Sequence, residues 1–278
     1  MQSDAVTSRA VAWWHGALCA VAGLNLTLWL LSALAMARGH GVTDAANDFA
    51  CRAQLLLSAA YVLGCAFRSA LPVYDIPRIV VIDTRLSSVL IGRSVATVAE
   101  LCFAAQWAFI LHRVAFLSGS AFGEAAAWAI VPLIVLAEVC SWVAVLTTAQ
   151  RGHVIENSIW GLSAALIIAG LLVIGPHQLV YLYPPMIAWC IGGAVYVAFI
   201  FFLDVPMYWS RWLADETSGR RYLSLAQGLA DVSRRGTVSH RWGEWKSEVL
   251  WMSLYFTFGV WSSISLVYAS IALAGRGN

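Results

Sequence analysis

Seven apolar runs divide the chain, at residues 11–36, 51–71, 86–112, 125–149, 155–175, 184–206 and 248–274. Each approaches or exceeds the about 20 residues that a helix needs to cross the hydrocarbon core of a bilayer. Val and Ile are scattered without period-two alternation, which argues against the strands of a membrane barrel. The predicted fold is therefore an all-α polytopic bundle of about seven spans, treated as a single integral membrane domain over 1–278. Its backbone groups bond inside helices, as lipid requires. The second run is the weakest, because Arg52 and Arg68 bracket it closely, and both side chains are long enough to snorkel to an interface.

The first run has a rival reading. Ala35-Met36-Ala37 fits the small-x-small end of a signal peptide, and cleavage after 1–37 would leave six spans. The weakly positive start and the long apolar run favour a retained span. Asn25-Leu26-Thr27 matches a glycosylation acceptor but falls mid-span, so it is set aside.

The connections are uneven. The stretch 207–247 is the longest, and Tyr222, Leu225, Leu229 and Val232 recur there at helical spacing between Arg220-Arg221 and Arg234-Arg235. That pattern suits a short amphipathic helix in the headgroup plane; a cap packed over the ends of the spans fits it equally. The connection after the second span, LPVYDIPRIVVIDTRL, holds two X-Pro steps, which favour an extended path.

Composition agrees with the pattern. Hydrophobic residues make up 60% of the 278 and charged residues 12%, about half the share in a soluble domain. A disordered chain and a nucleic-acid binder are both excluded, so the expected partners are membrane lipids and the subunits of a membrane complex. Six cysteines lie singly, with no paired spacing that would mark a disulfide framework or zinc knuckle. The scarce charges also orient the chain. Twelve Lys and Arg fall on the side of the N-terminus and four on the other, with Arg93 inside a span. By the positive-inside rule the N-terminus is cytoplasmic and the C-terminus outside, and a bacterial inner membrane is the expected location.

Ionisable groups inside spans are costly and mark function or a structural pairing. Arg93 and Glu100 stand seven apart, two turns along one helix face, and Glu100 and Glu138 each lie near the middle of a span. If those two carboxylates face each other, one holds a proton; if Arg93 reaches them, the group is a clamp. Nearer the basic side, His153, Glu156, Asn157 and Trp160 form a stripe at i, i+3, i+4 and i+7. Asp204 closes the sixth span just before Pro206. His15, Asp75 and Asp83 are expected on the same side, so a polar constellation gathers at one leaflet. The segment around His177 carries no charge. Arg93, Glu100, Glu138, His153, Glu156, Asn157 and Asp204 are the candidate catalytic residues.

Metal and cofactor signatures are weak. There is no HxxxH, HExxH or ExxH, so no metal is expected, and the cofactor is left unknown. The sole lysine, Lys246, sits at a membrane boundary rather than within the last span, where a retinal Schiff base would need it. No GxSxG is present. Three functions stay open: an enzyme at the cytoplasmic leaflet acting on a lipid or other apolar substrate, a non-catalytic subunit or sensor, and a carrier using Glu100 and Glu138 as a relay. The one-sided polar cluster favours the enzyme, with arginines suited to a phosphate and carboxylates to acid–base work. The carrier lacks a repeat and paired broken helices.

Overall fold

The computed structural model describes residues 2–38, 45–175 and 183–274, and the segment around His177 lies outside them. The fold is all-α and 84% helical, with seven helices long and apolar enough to span a membrane. They are α1 (Gln2–Arg38), α2 (Ala45–Ala70), α3 (Val89–Ser118), α4 (Ala121–Thr147), α5 (Gln150–Ile174) and two composite spans. The sixth span joins α6 (Tyr183–Phe199) to α7 (Val205–Thr217) through a π-helical turn, Ile200–Asp204. The seventh joins α9 (Trp242–Leu254) to α10 (Val260–Ala274) through another, Tyr255–Gly259. A short α8 (Leu225–Val232) lies between those two spans in sequence.

Two tight turns set the bundle's register. Gly119, at φ 65°, donates its N–H to the last carbonyls of α3, and Ser120 caps α4 by accepting from the Gly123 N–H. A left-handed residue at this place ends a helix at little cost when it is glycine. Thr148, at φ 63°, makes the corresponding turn between α4 and α5 without that advantage. Small residues let these helices close up: a Cβ on Gly152 would meet the Cys140 carbonyl at 2.6 Å. The apolar core has two large centres and a smaller one on Val73, Val80, Val89, Val145 and Val232. One large centre, at the end of the bundle where α3 meets α4, is built on Ile110, Leu111, Ile130, Ile134, Leu171 and Leu266. The other large centre lies toward the opposite end, around Val11, Trp14, Tyr61, Trp245 and Phe256.

That opposite end carries most of the arginines and a small lid. The connection after α2 is a hairpin, β1 (Val73–Tyr74) and β2 (Ile79–Val80), and β3 (Thr237–Val238) adds in parallel to β2. The expected extended path is thus a strand pair. The long connection is shorter than 207–247, because α7 prolongs the sixth span to Thr217 and α9 begins at Trp242. Pro206 does not end the helix: it stands directly after the π-helical turn Ile200–Asp204, where the backbone ladder already departs from the i→i−4 pattern. Helix α8 starts on a capping box, Ser224 with Gln227. Its Gly228 and Val232 are buried against the end of α4, while Leu225 and Leu229 point away at more than half exposure. One face packs over the end of α4, as a cap would, and the other presents leucines.

Arg78 fastens this lid. Its Nη2 donates to the Val145 carbonyl at 2.6 Å, Nη1 to the Asp75 carbonyl at 2.7 Å, and Nε to Asp231 Oδ2 at 2.9 Å. The Val145 carbonyl is one of the last four of α4 and has no partner within its helix; a cation there also suits the helix dipole. These bonds hold Arg78 at φ 73°, a conformation that disfavours any residue with a Cβ. Arg78→Ala is expected to cost about 2 kcal/mol through lost charged hydrogen bonds. Limited proteolysis should then cut within 71–88 and 218–241 before it touches the spans. Unchanged protease resistance would mean that the strands alone hold the lid.

Several polar groups within the bundle find partners across helices, as lipid favours. Asn25, set aside as a glycosylation acceptor, is 2% exposed and donates to the Phe256 carbonyl at 2.7 Å. It thereby satisfies the π-helical turn of the seventh span from α1. Gln54, Gln106 and Ser263 form a second network, with Ser263 Oγ donating to Gln106 Oε1 at 2.6 Å. Both are structural joints that neutral residues hide from a search for charge.

Candidate functional site

The candidate site begins with the register of α3, α4 and α5. Glu100 lies nineteen residues before Gly119 and Glu138 nineteen after it, so the first turn sets them at one depth. Glu138 lies ten residues before Thr148 and Glu156 eight after, so the second turn brings Glu156 to nearly the same level. Arg93, two turns from Glu100 on the same face, reaches along α3 to meet them. Its Nη2 lies 2.9 Å from Glu138 Oε2, 3.2 Å from Glu156 Oε1 and 3.3 Å from Glu100 Oε2. All four side chains are buried.

Further contacts orient the carboxylates. Thr97 Oγ1 donates to Glu138 Oε2 at 2.5 Å and itself accepts from Trp142 Nε1 at 3.0 Å. Glu156 Oε2 lies 2.7 Å from His153 Nδ1. Asn157 Nδ2 donates to the His153 carbonyl, and the His153 ring packs on Tyr208 at 5.0 Å between centroids. With Nδ1–H donated to a carboxylate, Nε2 is the nitrogen left to accept a proton.

The three glutamates each offer an oxygen within 4.8 Å of the others, a spacing that could take a metal ion. Here the guanidinium of Arg93 contributes the cation among them, so the residues present suit an ion-paired cluster better than a metal centre. The clamp anticipated from sequence is therefore real in geometry, and it gathers three carboxylates where two were considered.

Beside the cluster lies a cavity of about 70 Å³. Arg93, Glu100, His153, Glu156 and Asn157 form part of its wall, together with Asp75 from the β1–β2 hairpin. The sixth span contributes Tyr208 and Arg211, and the seventh contributes Glu248, Trp251 and Tyr255. The cavity thus lies between the basic-end halves of these two spans. Helix α7 packs mainly on α5, and α9 mainly on α1, so the two halves diverge around it. The π-helical turn of the seventh span borders it through Tyr255 and Phe256, and such bulges are frequent at functional sites. Tyr74, outside the spans, also lines the wall; burial, reinforced by the charge of Glu248, raises its phenol pKa and keeps it a proton donor.

The other sequence candidates fall elsewhere. Asp204 is buried on the π-helical turn of the sixth span, but it is outside the cavity lining. His15 accepts from or donates to nothing in the cluster; its Nε2 lies 3.0 Å from the Ala70 carbonyl, where α1 meets the end of α2. Asp83 is half exposed and pairs with Arg235. Sequence reasoning missed Gln150, Tyr208, Arg211, Glu248 and Trp251 as wall residues, and treated Arg68 as a snorkelling group. Arg68 instead turns inward, with Nη2 donating to the Val73 carbonyl at 3.3 Å and Nε buried. A residue near a predicted span end can face the membrane surface or the interior, and spacing alone does not separate the two.

Comparison of the chain with family models, curated proteins and solved structures gave no match in any of the three. The functional reading rests on the site itself.

Proposed function

We propose that the protein is an integral membrane enzyme that performs acid–base chemistry on the polar head of an amphiphilic substrate at the cytoplasmic leaflet. The observation that carries this reading is the cavity between the diverging halves of the sixth and seventh spans, with the His153–Glu156 pair in its wall. The excess of basic residues at this end supports a cytoplasmic placement, in a bacterial inner membrane on this reading. The substrate's apolar part stays in the bilayer while its head passes between the two spans.

The roles follow from contacts. His153 is the catalytic base, using Nε2 to take a proton from a substrate or water hydroxyl and to return it to the leaving group. Glu156 is a positioning residue: it fixes the imidazole through Nδ1 and stabilises the imidazolium that forms. Arg93 holds Glu156 in place, while Glu100 and Glu138 hold Arg93. Ionic groups in a span that served only as a joint would need no cavity beside them, which weighs against a non-catalytic subunit. A carrier would need polar groups along the whole span, and beyond the Gln106 network the centre built on Ile110, Ile134 and Leu171 is apolar.

Membranes from cells making the wild type and His153→Ala test the reading by untargeted lipid mass analysis. The expected result is a mass change in one amphiphile class that depends on His153 and on no added cofactor. Identical profiles, with both proteins folded and equally abundant, would overturn it.

A further inference from the structure

The cavity wall holds several buried polar atoms without hydrogen-bond partners among the described residues. Two of the atoms are acceptors, Asp75 Oδ1 and Gln150 Oε1, and two are donors, Arg68 Nε and Arg93 Nε. Gln150 and Arg93 are each only 6% exposed, so bulk water does not readily serve them. An unmade hydrogen bond at a buried polar atom costs about 1–3 kcal/mol. Four such atoms around one cavity mark a place where a polar ligand supplies the bonds. That ligand must bring both donors and acceptors.

Charge narrows its chemistry. Among the lining residues, Arg68, Arg93 and Arg211 face four carboxylates, Asp75, Glu100, Glu156 and Glu248. Arg93 is already shared by glutamates. Asp75 and Glu248, in contrast, have no ion-pair partner among the described residues. An inorganic phosphate or a purely anionic head would satisfy Arg68 but would leave Asp75 and Gln150 unmet, among like charges. The phosphate that the arginines suggest from sequence is therefore insufficient. A protonated amine supplies donors to Asp75 and Gln150, and the rings of Tyr74 and Trp251 in the same wall suit a cation, while Tyr208 already carries the Arg211 guanidinium.

We infer that the cavity takes a headgroup bearing a protonated amine beside an oxygen acceptor: the amine against Asp75, Gln150 and Glu248, the oxygen against Arg68. This rests on the reading of the cavity as a substrate site, but it is tested by binding rather than turnover.

The full chain is placed in nanodiscs containing equal parts of phosphatidylethanolamine, phosphatidylglycerol and a neutral glycosyl diacylglycerol, then released and weighed by native mass spectrometry. Retention of phosphatidylethanolamine at least tenfold above the others is expected, with Gln150→Ala and Asp75→Asn each lowering that preference about tenfold at unchanged melting temperature. Free O-phosphoethanolamine forms a second arm. Competition by it at millimolar concentration assigns a soluble source to the ligand, and its failure to compete assigns a membrane one; both uphold the amine. Preferential retention of phosphatidylglycerol or the glycolipid, equal retention of all three, or a preference untouched by both folded variants overturns the inference. Failure of the enzyme reading looks different. In that case the amine lipid binds selectively, yet the His153→Ala membranes match the wild type.

Discussion

Arg93→Met is expected to be the most damaging single substitution in the protein, lowering stability by about 3–5 kcal/mol. Methionine fills much of the arginine's volume, so the loss is electrostatic rather than a cavity. It leaves Glu100, Glu138 and Glu156 within 4.8 Å of one another and buried, without the guanidinium that now touches all three. Desolvated carboxylates at that distance cannot all stay ionised. The cluster either takes up protons or breaks apart, and either event frees α3 from α4 and α5.

Arg93→Lys separates charge from shape. It keeps the cation, but a compact ammonium on a different stem lacks the planar fork and will not hold three partners in the same geometry. An intermediate loss is expected. The decisive comparison is a cycle in which Glu100→Gln and Glu138→Gln are added to Arg93→Met. Removing two of the stranded charges should recover at least half of the lost stability, although each glutamine substitution alone destabilises the wild type. The measurement is thermal unfolding in detergent, followed by the intrinsic fluorescence of the tryptophans. Additive losses throughout the cycle would show that Arg93 does not act through these glutamates.

The same cluster shows what the sequence made legible. Hydropathy located all seven spans, and a helix face of two turns paired Arg93 with Glu100. The approach of Glu138 was anticipated because both acids lie near span centres. Glu156 was placed apart, nearer the membrane surface, since its depth depends on where α4 ends and α5 begins. Thr148 makes that turn with a positive φ that its residue type does not advertise, whereas Gly119 advertises the turn before it. The cavity was less legible still. Gln150 carries no charge, and Arg211 lies on a prolonged helix that Pro206 seemed to end. Glu248 stands at the very start of the last apolar run, two residues from Lys246. Their convergence depends on how far the ends of the sixth and seventh spans diverge, which tertiary packing sets and local pattern does not encode.

Glu156→Gln is expected to reduce turnover of the amphiphile by about 10²–10⁴-fold, while melting shifts only slightly because Arg93 keeps Glu100 and Glu138. The reason lies in the two faces of this side chain. Glu156 accepts from Arg93 through Oε1 and from His153 Nδ1 through Oε2. Glutamine has one oxygen and one NH₂. With its oxygen toward the guanidinium, its NH₂ faces Nδ1 and forces the imidazole to carry its proton on Nε2. The catalytic nitrogen then becomes a donor and can no longer take a proton from substrate. With the amide reversed, the NH₂ opposes Arg93, and the imidazolium also loses its counter-charge. Glu138→Gln is the matched control, since it removes the same charge from the same arginine without touching His153. It should leave turnover within a few-fold of wild type. Equal losses in the two variants would reduce the cluster to a clamp and sink the assignment of His153 as base. A selective loss in Glu156→Gln, with both proteins melting alike, would tie the chemistry to the imidazole that Glu156 holds.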